Sequence, residues 1–155
     1  MKISVRPSQE CDFEPYAHTL LLTLPCEDLD EARENVNIAI ERSEKESREL
    51  WVAEVETAPV GFMLLELEAE EKNIEIDWFD VHPDYQRIGV GTTLFHKAEE
   101  RAKELKYETI SMHTAVSNHK MQGFGKKNGF SEEARLPEFW GEKTEDAILL
   151  IRRLE

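Results

Sequence analysis

Hydrophobic and polar residues along this chain follow two kinds of pattern. Alternation and short apolar runs bounded by turn residues predict strands, and recurrence near every 3.6 residues predicts amphipathic helices. Strands are predicted over residues 3–5, 50–55, 60–67, 73–81, 109–114, from Phe130 onward, and over 147–151. Helices are predicted over residues 13–21, 29–40, 92–106 and 120–127, the second continuing into the charged run 41–49 as a solvated face.

The order of these elements is β-α-α-β-β-β-α-β-α-β-β, which predicts one α/β domain over residues 1–155 with a mixed sheet. A chain of 155 residues is long enough to bury a core of its own. Within the strand over residues 73–81, apolar and polar residues alternate. The alternation predicts Trp78 on the same face as Ile76, and Glu75 with Asp77 on the other face.

The charge of the chain is strongly acidic. It carries 33 acidic and 19 basic residues, a formal net charge of −14. This charge repels the phosphate backbone of nucleic acids and attracts cationic partners such as amines, polyamines or basic peptides. We therefore expect no nucleic-acid partner. Solubility alone is the simpler explanation of the acidity.

Other sequence signals concern location and metals. No apolar run approaches membrane-spanning length, and the first five residues lack the apolar region of a signal peptide. Cys11 and Cys26 are too few for a disulfide framework, and neither they nor the five histidines stand at metal-ligand spacing. We expect a cytoplasmic protein with reduced thiols, no membrane association and no metal.

A glycine-bearing turn, Gln86 to Gly91, joins the strand over 73–81 to the next helix. The first amides of a helix lack intrahelical partners, and the helix dipole places partial positive charge at that end. Glycine removes the side chains that would keep a phosphate away from the backbone, and Arg87 adds a cation. The turn therefore predicts a site for a phosphate-bearing cofactor.

Two segments resemble the GNAT (GCN5-related N-acetyltransferase) family. The turn fits that family's (Gln/Arg)-x-x-Gly-x-(Gly/Ala) signature as Gln86-Arg87-Ile88-Gly89-Val90-Gly91. Further along, the family's Asn…Phe-Tyr-x-Lys-x-Gly-Phe segment is resembled by Asn118, Phe124, Lys127, Gly129 and Phe130. The turn alone is a weak signal, and the second segment at the expected distance makes the resemblance specific.

The resemblance implies a largely antiparallel central sheet flanked by helices and an acetyl-CoA-dependent transfer of an acetyl group to a primary amine. Attack would be direct, in a ternary complex, without a metal. In the family, the strand before the turn pairs through its backbone with the pantetheine arm, and its amides stabilise the thioester oxygen. The residues that the resemblance assigns to acetyl-CoA are Phe79, Asp80, Val81, Gln86, Arg87, Ile88, Gly89, Val90, Gly91, Thr92 and Asn118.

Several acidic residues are candidates for the general base, because a protonated amine must lose a proton before it attacks. Glu75 lies where some members of the family place a catalytic glutamate, and Asp77 shares its face of the strand. Asp80 lies on the opposite face unless a β-bulge intervenes, and the family has a bulge at this point. The alternative is that all three are solvated acids.

The general acid departs from the family pattern. Members commonly carry a tyrosine after the aromatic residue of the second segment, where it protonates the leaving thiolate, and this chain has Gly125 there. Ser117, His119 or Tyr85 could substitute through water, or the CoA thiolate could leave without an acid. The vacancy keeps an alternative open, a CoA-binding or CoA-sensing domain that transfers nothing.

The residues that would bind the acceptor are less clearly indicated by the sequence. Phe139 and Trp140 lie in a loop before the last strand that often lines the acceptor pocket in the family, although a core role is equally compatible with the sequence. The acidity favours a cationic small molecule or a peptide amine. Family members often dimerise, so a homodimer is a further implication. A nucleotide site of another kind is disfavoured, because the chain lacks both the GxxxxGK and the GxGxxG patterns.

Overall fold

The computed structural model describes residues 1–155 as seven strands and four α-helices. The strands are β1 (Ile3–Pro7), β2 (Arg48–Val55), β3 (Ala58–Glu68), β4 (Asn73–Val81), β5 (Thr109–Ala115), β6 (Ser131–Leu136) and β7 (Ala147–Arg153). The helices are α1 (Phe13–Thr23), α2 (Leu29–Ser43), α3 (Val90–Leu105) and α4 (His119–Lys127). None of the helices combines the length and the apolar character needed to cross a bilayer.

All seven strands form one sheet in the order β1-β2-β3-β4-β5-β7-β6. Every neighbouring pair is antiparallel except β4 and β5, which are parallel. The predicted order of elements and the mixed, largely antiparallel sheet are therefore confirmed.

Helices cover the two faces of the sheet unequally. On one face, α3 buries Leu94, Phe95 and Ala98 in a cluster of 17 buried residues that includes residues of β2, β3, β4, β5 and β7. On the other face, α1 and α2 cover β2 and β3 in a cluster of 10. There Tyr16 stacks on Phe62 with ring centroids 4.2 Å apart. No helix of this second cluster reaches β5 or β7, so that end of the second face stays open.

The parallel pair β4 and β5 separates partway along its length. The two strands pair from Asn73 with Thr109 as far as Ile76 with Met112. Beyond that point β4 continues to Val81 and β5 to Ala115 without pairing with each other. The unpaired backbone edges open a cleft in the middle of the sheet.

A β-bulge in β4 lies at the point where the strands separate. Trp78 pairs with Leu64 and Ile76 with Leu65, so Asp77 is the extra residue. The bulge reverses the alternation beyond it. Trp78 packs with the α1 and α2 cluster instead of with Ile76, which corrects the prediction that these two residues share a face. Asp80 consequently lies on the same face as Glu75, because the bulge adds one residue between them.

Several boundaries differ from the sequence prediction, and three of these differences change the assignment of a charged run, a glycine and a core residue. The second helix ends at Ser43 rather than continuing through the charged run, because residues 48–49 join β2 and pair with β3. The third helix begins at Val90, two residues earlier than predicted, so Gly91 is helical. Phe130 is buried in the core, and β6 starts at the next residue.

Candidate functional site

The turn before α3 exposes a set of unbonded amides. Gly89 precedes the helix with a left-handed backbone, φ 98°. Regular helical bonding begins with the Thr93 amide, which donates to the Gly89 carbonyl at 2.9 Å. The amides of Val90, Gly91 and Thr92 are therefore left for a ligand. The helix dipole adds partial positive charge at this end, so the turn is suited to an anion.

Neighbouring residues fix the turn in place. The Gln86 side-chain amide donates to the Val81 carbonyl at 3.0 Å, which ties the turn to the end of β4. The Lys120 ammonium, near the start of α4, donates to the Gln86 side-chain oxygen. This bond brings the two family-like segments together across the cleft. Arg87 and Ile88, which follow Gln86 in the turn, are exposed to solvent.

A glycine that the sequence interpretation did not single out supports α3 from below. A Cβ atom added at Gly61 of β3 would stand 2.8 Å from the Val90 Cγ1 atom and 3.0 Å from the Leu94 Cδ1 atom. Only a residue without a side chain lets the helix start come this close to the sheet. Gly61 therefore sets the height of the anion turn above the strands.

The other wall of the cleft is α4. Asn118 caps this helix, its side-chain oxygen accepting from the Met121 amide at 3.1 Å, and the residue is exposed beside the cleft. Behind the cap, the Phe124 ring lies 5.3 Å from that of Phe79 on β4. Both rings would lie 3.5 Å from a Cβ atom added at Gly91. Phe79, Phe124 and Gly91 therefore pack together between the starts of α3 and α4.

Asp77 is neutralised by two arginines. Its Oδ2 atom accepts from Arg42 of α2 at 3.2 Å and from Arg48 of β2 at 3.0 Å. Two guanidinium groups thus engage this carboxylate and turn it toward α2 and β2.

Asp80 faces α1. Its carboxylate lies 3.4 Å from the Tyr16 hydroxyl and 3.5 Å from the Thr23 hydroxyl. Both bonds are long, and burial dominates, which raises the pKa of Asp80 to about 6. Burial likewise raises the pKa of Tyr16, and the adjacent Asp80 charge adds to that effect.

Glu75 belongs to β4, and its side chain contacts side chains of β5 in a polar cluster below the cleft. One carboxylate oxygen accepts from the Ser111 hydroxyl, and the other lies 2.6 Å from the His113 Nδ1 atom. Burial raises the pKa of Glu75, and the bonds to Ser111 and His113 oppose that rise. Sequence reasoning did not single out Ser111 or His113, although their spacing by two along a strand was a usable signal, since it places both on one face.

A groove of about 560 Å³ runs along the open end of the sheet next to this cluster. Phe139, in the loop between β6 and β7, stacks on His113 with centroids 4.4 Å apart, and Trp140 stands perpendicular to Phe139. Both aromatic side chains are exposed, which excludes the core alternative. The acidic residues of the groove are Glu68, Glu71, Glu75 and Asp77.

The position at which the family carries a tyrosine faces the core in this chain. A Cβ atom added at Gly125 would lie 3.0 Å from both Leu150 and Met112. Met112 is the last β5 residue paired with β4, so Gly125 packs against the sheet where the cleft begins. Ser117 and His119 are exposed around the start of α4. Tyr85 packs edge-on against His82, with centroids 5.6 Å apart.

One curated protein with a descriptive name is similar to part of this chain. A Bacillus subtilis protein, named as a candidate ribosomal protein bS18-alanine N-acetyltransferase, is 33% identical over 70 residues, which cover 45% of this chain and 46% of that protein. The match thus spans about half of the length of that relative.

Solved structures and a family model complete the comparison. Ard1 from Thermoplasma volcanium aligns with a TM-score of 0.81 at 20% identity, over 100% of this chain and 99% of that chain. A GNAT family acetyltransferase from Elizabethkingia anophelis with acetyl-CoA bound aligns with a TM-score of 0.76 at 22% identity, over 98% of each chain. A model of the acetyltransferase (GNAT) family matches residues 12–130. That match covers more than half of the sequence, and this chain belongs to the GNAT family of acetyltransferases.

Proposed function

We propose that the protein transfers an acetyl group from acetyl-CoA to a primary amine. One observation carries the proposal: the cleft between β4 and β5 opens directly beside the free amides at the start of α3. A linear cofactor with a pyrophosphate at one end and a thioester at the other fits such a site. The pyrophosphate meets the helix start, and the arm enters the opening in the sheet.

The donor site comprises the turn and the unpaired end of β4. The free amides of Val90, Gly91 and Thr92 hold the pyrophosphate, with Arg87 as an exposed cation in the turn. Past Ile76, β4 offers backbone groups without a β5 partner, and those of Phe79, Asp80 and Val81 pair with the pantetheine arm. An amide of this edge polarises the thioester carbonyl as charge develops on its oxygen. Asn118 stands on the opposite wall.

The acceptor site is the groove at the open end of the second face. Carboxylates with an exposed aromatic pair form a surface that attracts a cationic amine, through charge and through cation–π contact. The acceptor is thus a small cationic molecule or a peptide amine. Its amine nitrogen attacks the thioester carbon, the carbon–sulfur bond breaks with its electron pair on sulfur, and one proton leaves the nitrogen.

A direct experiment is calorimetry with CoA followed by an assay of thiol release against a panel of amines and peptide N-termini. CoA binding in the micromolar range with release of one thiol per acetylated amine supports the transferase. Absence of both refutes it. Because Gly125 replaces the tyrosine, a CoA-binding domain without transfer is the second candidate, and binding without turnover on any acceptor favours that candidate.

A further inference from the structure

A chain of hydrogen bonds across β4 and β5 ends at His113. The Thr109 hydroxyl donates to the Asn73 side-chain oxygen at 2.8 Å, and the Asn73 amide donates to the Ser111 Oγ atom at 2.8 Å. Ser111 in turn donates to Glu75, whose other oxygen contacts the His113 Nδ1 atom at 2.6 Å. Five side chains are thus linked beside the groove.

The direction of these bonds follows from their chemistry. The Asn73 amide also donates to Glu68, at 2.7 Å. A carboxylate only accepts, so the orientation of the Asn73 amide is fixed. With the Ser111 oxygen accepting from Asn73, its own proton points to Glu75. Glu75 therefore receives donors on both oxygens, and His113 carries its neutral-state proton on Nδ1.

The second nitrogen of His113 is left free by this arrangement. The Nε2 atom has no hydrogen-bond partner within the protein, and the ring lines the groove. Stacking on Phe139, with ring planes 10° apart, holds the imidazole in one orientation. His113 is the first β5 residue past the last pair with β4, so it stands at the mouth of the cleft where the thioester enters.

We propose that His113 is the general base and that Glu75 is its positioning residue; this proposal rests on the proposed function. The His113 Nε2 atom takes the proton from the amine nitrogen, directly or through one water, as the nitrogen–carbon bond forms. The resulting imidazolium is stabilised by the Glu75 carboxylate. The proton then passes to the departing CoA thiolate or to solvent, which restores the neutral ring.

The competing acids are less suited to this role. Asp77 is held by Arg42 and Arg48, and Asp80 turns toward Tyr16 on α1. The charged groups that face the His113 ring are Glu75 and Asp77 on β4, and Glu68 and Glu71 around the β3–β4 hairpin; the β6–β7 loop faces it with aromatic rings alone. These carboxylates give the groove beside His113 an acidic lining.

The test compares wild type with His113→Ala and Glu75→Gln, using His96→Ala as the matched histidine control. His96 is exposed on α3 near Glu99. We expect His113→Ala to lower kcat roughly 10²–10⁴-fold with the dissociation constant of acetyl-CoA unchanged. Added imidazole should restore part of that rate, Glu75→Gln should lose less, and His96→Ala should match wild type.

Rescue separates a base from a structural role, because free imidazole replaces only the proton acceptor. His113→Ala with wild-type kcat, or a loss of kcat that imidazole does not restore while acetyl-CoA still binds, overturns the proposal. If His113→Ala unfolds, His113→Gln is assayed in its place, with the pH dependence of kcat/KM as the deciding measurement. A wild-type protein that releases no thiol with any amine instead refutes the proposed function.

Discussion

Gly89 holds a backbone conformation that other residues adopt at a cost. At φ +98° an added Cβ atom strains the chain by roughly 1–2 kcal/mol, and relief of that strain moves the amides that follow. We expect Gly89→Ala to weaken CoA binding about tenfold, equivalent to about 1.4 kcal/mol, because those amides hold the pyrophosphate in the proposed donor site. Calorimetry with CoA measures the change.

Gly129 supplies the control for that substitution. It also has a positive φ, 87°, but lies past the far end of α4, against Arg152. Gly129→Ala should lose comparable stability and leave the dissociation constant of CoA within twofold of wild type. Equal weakening of CoA binding in both variants would show that the effect of Gly89→Ala is general destabilisation and not a local change at the anion turn.

Asp80 makes stability depend on pH. Its pKa is raised to about 6 in the folded state, above the ordinary value of 3.8, so the folded state binds the proton more tightly than the unfolded state. Stability is therefore lost as pH rises from about 4 through 6. Asp80→Asn removes that penalty and should gain about 1–3 kcal/mol over wild type at pH 8, but much less at pH 4.5. Urea unfolding at the two pH values tests this.

Asp146 provides the opposite case. Arg135 holds the pKa of its carboxyl below the ordinary value, so its contribution to stability is lost only below about pH 4. The difference between Asp146→Asn and wild type should be flat from pH 4.5 to pH 8. A pH-dependent difference of the same sign in both variants would mean that burial of Asp80 does not cause the effect.

At the scale of elements, the approach of α3 to β3 depends on Gly61. A methyl group there would press on Val90, a stiff β-branched side chain in the first turn of the helix. We expect Gly61→Ala to cost about 1–3 kcal/mol and to weaken CoA binding, because the whole helix start must rise from the sheet. Urea unfolding and calorimetry measure the two effects.

The same exchange on α4 should act in the opposite direction. Gly123 lies on the exposed side of that helix, with nothing within 4 Å of an added Cβ atom. Gly123→Ala should therefore stabilise the protein by about 0.5–1 kcal/mol through helix propensity alone. If Gly61→Ala were equally stabilising, the close packing of α3 on β3 would not be what places the anion turn.

The sequence carried enough information for the elements and their order. Strand periodicity, cap-forming side chains before the second and fourth helices, and the glycines of the turn are local signals. In the second helix either Asp28 or Asp30 fits the cap position, and the structure has Asp28 there, with Asn118 capping the fourth helix. The family motif identified both the turn and the α4 segment for the same reason, because each segment is short and contiguous in the sequence. These features are predictable because the residues that determine them are neighbours in the chain.

Strand periodicity did not predict the β4 bulge or the cluster of Glu75 with His113, because both involve contacts between elements that are far apart in the sequence. The bulge at Asp77 is not visible in the periodicity of β4 and was implied only by the family resemblance; the bulged residue contacts Arg42 and Arg48 from two other elements. The cluster of Glu75 with His113 requires the parallel register of β4 with β5, which residue order alone does not supply. Arg42 and Asp77 are 35 residues apart in sequence, and Glu75 and His113 are 38 apart. These separations explain why local sequence patterns did not identify the proposed base.

For the whole molecule, the proposed reaction brings two ligands of opposite charge to one acidic protein. A net charge of −14 attracts a polycationic acceptor and repels CoA. In the proposed donor site, CoA binding relies on the short-range field of the α3 start, with Arg87 and Lys120 nearby. Salt screens the long-range term far more than the local one, because the Debye length shrinks to about 8 Å at physiological ionic strength. The two substrates should therefore respond to salt differently.

We expect the KM of a polyamine acceptor to rise several-fold between about 20 and 300 mM NaCl, and the KM of a monoamine to rise much less. Over the same range the KM of acetyl-CoA should stay level or fall, because salt also screens its repulsion from the acidic surface. Thiol-release kinetics with matched amines of one and of three charges measure all three values. Parallel salt dependence for the two amines would show that the acidic groove does not select for charge, and would leave Phe139 and Trp140 as the determinants of the acceptor.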